Sequence, residues 1–225
     1  MNVDLYGIMA RVRKIAVPSY SDGDEKIPAM NDRGEILVSE GLPERAELVR
    51  QGNSWGAQIP TGSAFTFVNA WPTTRAELVL CNAESAGGKT YIIDRVWMTN
   101  ITSQAAAQPF SILAQLAPVA LAIAAATDNT AVLRQSLTGR VKTYSGRAAL
   151  ALANTAFALT NQWFTIGNAA VSPMTTNLGH SAEALVYGKY LVPPGAAFCI
   201  AGLAGTAAGT AICGVEWHEC QLAVA

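Results

Sequence analysis

A chain of 225 residues can hold one large domain, or a domain plus an arm, around a substantial core. Its net charge of −1 excludes a bulk field that would recruit nucleic acid or an anionic membrane surface. Hydrophobic residues reach 51% and charged residues only 14%, well below the quarter or so that covers a free globular domain.

The shortage of charge is local. Residues 1–55 contain 7 Lys/Arg and 9 Asp/Glu, while the other 170 residues share only 8 and 7. A body so sparse either exposes much Ala, Gly, Ser and Thr or buries surface against other chains. Low charge marks interface cores, so self-association is the expectation. Four cysteines, Cys81, Cys199, Cys213 and Cys220, form no C-x-x-C pair and read as free, buried thiols of a chain folded in a reducing cytoplasm. Cys213 and Cys220 lie on one strand with opposite parity, so they cannot pair within it. Met1 to Lys14 lacks the apolar run of a signal peptide, and polar residues, Pro and Gly interrupt every long charge-free stretch, so no membrane helix is expected.

Taken in order, the first region opens on Val12, Ile15 and Val17 and then a turn cluster, Pro18 to Asp24. Two short extended pieces, 26–30 and 36–38, flank the tight turn Asn31-Asp32-Arg33-Gly34-Glu35 and make a small hairpin, with Pro28 confining the first piece to an edge. PERAELVR, 43–50, supplies two helical turns that are marginal alone. Composition changes at Asn53-Ser54-Trp55-Gly56, which places the boundary near Gln58: an arm over 1–57 and a β-domain over 58–225. The arm has too few large apolar residues to offset its backbone entropy. It is expected either to order only on a partner or to fold back through Met30, Ile36 and Val38.

Strands are expected over 63–70, 76–82, 90–102, 110–116, 131–137, 148–153, 157–166, 185–191, 196–203 and 211–222, with a weaker one at 141–144. Turn signals separate them, including Pro193-Pro194-Gly195 and the small-residue run 204–210; 118–126, PVALAIAAA, is helix or covering loop. Many short strands at regular spacing predict an all-β antiparallel sandwich, jelly-roll-like, with an extended N-terminal arm.

The stretch that organises this domain is AELVLCNAESAGGKTYIIDRVWMTNIT, 76–102. It reads as a hairpin whose loop glycines, Gly87 and Gly88, supply positive φ. By the period of two, Tyr91, Ile93, Trp97 and Ile101 share one face and Ile92, Val96 and Met98 the other. Only Asp94-Arg95 interrupts, so the strand is expected to be covered on both sides.

Residues with chemistry are few. Glu216, His218 and Cys220 share one face of the closing strand, but no H-x-H, H-x-x-x-H or C-x-x-C completes a metal set. That face reads as a polar surface and Val215 with Trp217 as core. No neighbour activates a cysteine nucleophile, and GLAGTAAGT, 202–210, lacks the Gly-Lys-Ser/Thr ending of a phosphate loop. The turn of Asp22, Asp24 and Glu25 has no defined calcium-ligand spacing. No catalytic, cofactor or metal residue is therefore assigned. Partner contacts are expected from the basic trio Arg11, Arg13 and Lys14, from Tyr20, and from Trp55, with Trp71 the other aromatic placed for the surface; Trp97 and Trp217 are expected in the core.

The segment PSYSDGDEKIPAMNDRGEILVSE, 18–40, resembles a short hairpin motif of tailed-bacteriophage virion proteins. The body resembles capsid-associated β-sandwich proteins in its ordering, with KTYIIDRVWMTNIT after an Ala-Gly-Gly turn, a PPG turn before a late strand and a closing GVEWHE. The resemblance implies a virion structural protein, made in the host cytoplasm and seated on the outer capsid surface as a decoration or cement protein. The partners it implies are the major capsid protein or other virion proteins, with copies of itself as a homotrimer, and neither nucleic acid nor membrane. The alternative is a receptor- or glycan-binding head on a fibre, spike or neck.

Overall fold

The computed structural model describes residues 44–102, 108–117, 132–141, 146–153, 163–171, 180–205 and 209–222. The arm hairpin, the alanine-rich stretch 118–126, most of 141–144 and the tip of the 204–210 turn lie outside them. The chain divides into two compact units, Met1–Glu47 and Leu48–Ala225. A helix, α1 (Glu44–Arg50), is where PERAELVR predicts one. The second unit begins at Leu48, ahead of Gln58, and so takes in the strand Ser54–Gln58.

Eleven strands follow among the described residues: β1 (Ser54–Gln58), β2 (Phe65–Thr66), β3 (Arg75–Asn82), β4 (Thr90–Asn100), β5 (Gln108–Ala117), β6 (Leu133–Gln135), β7 (Gly146–Ala153), β8 (Phe164–Val171), β9 (Ser181–Val192), β10 (Ala197–Ala204) and β11 (Thr210–Cys220). They form two antiparallel sheets, β6-β1-β11-β4-β9, with β2 beside β11, and β7-β3-β10-β5-β8. The pairings nest: β1 with β11, β3 with β10, β4 with β9 and β5 with β8. The chain therefore folds as one long hairpin wrapped across two sheets, and β11–β4 and β10–β5 close each layer. That is the jelly roll, and it is the predicted all-β sandwich.

The nesting corrects the predicted hairpin. β3 and β4 are strands as expected, but they belong to opposite sheets, and 83–89 crosses between layers. Asn82 anchors the crossing. Wholly buried, it donates its side-chain amide to the carbonyls of Lys89 (2.8 Å) and Val192 (2.9 Å) and accepts the Glu84 N–H at 3.1 Å. Gly87, at φ 82, supplies the expected left-handed turn. Elsewhere, the strand predicted at 63–70 shrinks to Phe65–Thr66 behind a 3-10 turn at Thr61–Ser63; of the one predicted at 157–166, residues 157–162 lie outside the described residues and 164–166 open the strand Phe164–Val171.

Between the sheets lies one apolar core. Tyr91, Ile93, Val96 and Met98 of β4 and Val215 and Trp217 of β11 meet Leu78, Leu80, Phe110, Ile112, Phe198 and Ile200 of the other sheet. Trp217 stacks on Tyr91 with ring centres 5.8 Å apart, as its core assignment requires. The second sheet is buried on its other side as well. Val79, Cys81, Ala197 and Cys199 alternate with the core residues and join Ala117 in a separate cluster, against which Trp163 packs. The four cysteines are free, and burial pushes the Cys199 and Cys213 thiols far up, with Cys81 and Glu77 nearby adding to it.

Candidate interaction face

The outward side of β6-β1-β11-β4-β9 carries a cluster of bonded polar side chains beside Trp97, and a bulge places it there. Against β11, Arg95 faces Glu216 but Ile93 faces Trp217, so Asp94 is an extra residue in β4. The bulge flips parity. Tyr91 and Ile93 point inward before it, Val96 and Met98 after it, and Arg95 and Trp97 are left outside. This overturns two expectations: Trp97 is half-buried on the outer face rather than in the core, and β4 is fully covered on one side only. Strict alternation from Tyr91 carries the wrong residues inward once one residue is inserted.

Opposite the bulge β9 is irregular too. Arg95 faces Leu185 and Ile93 faces Tyr190, so Val186 to Lys189 swing out as an excursion. Its tip holds Tyr187 at φ 44 and Gly188 at φ 76. An added side chain on Gly188 would meet Ile92 Cγ2 at 3.1 Å.

Polar groups lock this face. Asp94 Oδ2 lies 2.9 Å from His218 Nδ1. Arg95 donates to Glu216 at 2.8 Å and to Glu183 at 3.4 Å, bridging β11 and β9. Its guanidinium carbon also stands 4.9 Å from the centre of the Trp97 ring. The ring rests over Gly214, where an added Cβ would lie 2.2 Å from Trp97 Cζ2. Glycine there is a requirement of the tryptophan.

Beside Trp97 the sheet forms an open groove of about 400 Å³, walled by Val132, Arg134, Gln135 and Ser136 and floored by Gly56 and Ala57, with Gln58 and Glu216 at its rim. Gln135 donates to Gly52 O at 2.8 Å and Ser136 bonds Ser54 at 3.0 Å, which fixes the wall. The arrangement suits recognition, since it presents amide, hydroxyl, guanidinium and carboxylate groups beside an aromatic ring.

Arg11, Arg13, Lys14 and Tyr20 lie outside the described residues. Trp55 is half-buried in β1 against the core, opposite Trp217 in the ladder. Trp71 is exposed. Glu216, His218 and Cys220 share the outward face as expected, with His218 turned to Asp94. Among the described residues no three His, Cys, Asp or Glu side chains converge as a metal set. Sequence reasoning noted Asp94-Arg95 only as an interruption and missed Tyr187. The available signals were a charged pair inside an apolar strand and a lone glycine, Gly188, inside another.

The class these features define is a jelly-roll sandwich with one double-covered sheet and one ordered outer face. No family model and no curated protein matches the chain. Among solved structures, the "Structure of infectious bursal disease virus Gx strain" is 12% identical, with 97% of this chain and 57% of that chain covered at a TM-score of 0.16. This chain thus spans little more than half of that one, and so low a score carries no argument.

Proposed function

We propose that the protein is a structural, non-enzymatic component of a tailed-phage virion, seated on the outer capsid surface as a decoration or cement protein. The observation that carries the reading is a mismatch on the body's surface. All six carboxylates described in the body are engaged, the buried Glu77 with Arg75 and the buried Glu219 with Lys89, and the others Glu84 with the Lys89 N–H, Asp94 with His218, and Glu183 and Glu216 with Arg95. Meanwhile Trp71, Leu137, Phe164, Leu185 and Tyr187 each stand roughly half exposed or more. A surface with its acids satisfied and its large apolar groups in water fits burial against other chains. The jelly roll is common in viral capsids but hosts other functions, so it supports this reading without deciding it.

Immunogold labelling of purified virions from the phage that encodes the chain tests this. The expected result is label on the head, and particles lacking the gene that lose integrity at lower temperature. Absence from purified virions overturns it.

The groove beside Trp97 favours a second reading, a glycan- or receptor-binding head. Glycan-array binding that disappears with Trp97→Ala would select it over the first.

A further inference from the structure

We propose that the outward row of β9 is a self-complementary contact through which two copies of this chain associate about a two-fold axis. This deepens the virion reading by naming a second copy as partner, and it rests on that reading only for its biological setting.

Three observations carry it. First, β9 is an edge among the described strands. Its odd-numbered side chains, Ser181, Glu183, Leu185, Tyr187, Lys189 and Leu191, are all exposed, while Ala182, Ala184, Tyr190 and Val192 point inward. Long edges with exposed apolar side chains are normally blunted or covered, yet here Tyr187 is 68% and Leu185 48% exposed. Second, Tyr187 is the sole non-glycine residue at positive φ among the described residues. Such conformations persist where the surroundings enforce them, and they cluster at functional sites. The Asp94 bulge and the Val186 to Lys189 excursion enforce this one from two strands.

Third, the row is its own complement. A two-fold through Val186 sets Glu183 against the partner's Lys189 and Leu185 against the partner's Tyr187, each twice. Among the described residues Lys189 has no carboxylate partner, and Glu183 is held there by Arg95 alone, at 3.4 Å on an exposed surface. The excursion also breaks the backbone register, so a continuous ladder cannot propagate from copy to copy. The contact is made by side chains, and it closes at two.

Light scattering of the full chain at tens of micromolar, with charge-swap variants, tests the contact. The expected mass is twice 23.6 kDa. Glu183→Lys and Lys189→Glu each place like charges across the axis twice and should weaken association roughly tenfold or more. Mixing the two single variants pairs opposite charges at both positions and should restore a dimer, and the double variant should self-associate like the wild type. Both side chains are exposed, so circular dichroism should show unchanged folding; if either variant misfolds, Tyr187→Ser supplies the same loss of dimer. A monomeric wild type, a failure of the mixture to rescue, or a mass of three chains overturns the proposal. The last outcome supports the trimer implied by the resemblance. Label on the virion with no dimer leaves the capsid reading standing, and a dimer without virion label leaves the contact standing.

Discussion

The two sheets of this sandwich differ in what lies on their outward sides. β3 and β10 are buried on both faces almost end to end, with a second apolar cluster behind the core. β4 and β11 bury one face and hold the other in a polar network under Trp97 and Arg95. The contrast shows how a jelly roll divides labour. One sheet is a structural wall whose composition is nearly continuous Leu, Val, Ala, Cys and Ile. The other gives its outward positions to bonded charges and a groove.

Substitutions should break this contrast unevenly, the largest effect coming from the shared core. Trp217→Ala removes a wholly buried ring and should cost about 3–5 kcal/mol, leaving insoluble protein. Gly214→Ala on the outer side should cost about 1–3 kcal/mol, because the Trp97 ring must move off the sheet. Chemical denaturation gives both numbers, and tryptophan fluorescence reports the displaced ring. Trp97→Ala should cost about 1–2 kcal/mol, in line with a half-buried side chain, and leave a soluble fold. Equal losses at Trp97 and Trp217 would erase the distinction between inner and outer tryptophans.

Gln115 sharpens the comparison from the other side. It is 1% exposed on β5 next to Cys199, and neither of its amide atoms has a hydrogen-bond partner among the described residues. An apolar residue of similar size suits a covered face better, so Gln115→Met should raise stability by about 1–2 kcal/mol. The smallest effect is expected at Glu77. Burial raises its carboxyl above the ordinary value, with Arg75 countering only in part. The folded state therefore favours the protonated acid. That contribution is fully present below the unfolded pKa and is lost as pH rises through the raised folded value. Glu77→Gln should gain stability relative to the wild type as pH climbs to neutrality, and match it in acid. A difference independent of pH in calorimetry would count against this.

Much of the frame was legible from residues alone. Alternating apolar runs between Gly, Pro and Asn turns gave the all-β sandwich, α1, β9, β10 and β11, and the inward direction of Val215 and Trp217. The failures have physical causes. A short polar loop between strands suits a hairpin or a layer crossing equally, and only Asn82, bonded to the far end of β9, distinguishes them. A bulge is one residue in length, so period-two reading ran through Asp94 and turned Trp97 the wrong way. β3 and β10, covered on both sides, were recognised as strands but not as the doubly buried pair, because short apolar runs do not reveal what packs behind them. The excursion in β9 was hidden in a regular exposed-buried alternation that continues through it.

The central claim is that the outward side of the β4–β9–β11 sheet is where this protein meets other chains. Hydroxyl-radical footprinting of the chain, free and in purified virions, tests it most directly. Leu185 and Tyr187 should be modified readily in the free protein and protected in the particle, while wholly buried Tyr91 and Trp217 stay unmodified in both. Equal modification of Leu185 and Tyr187 in the two states would contradict the account.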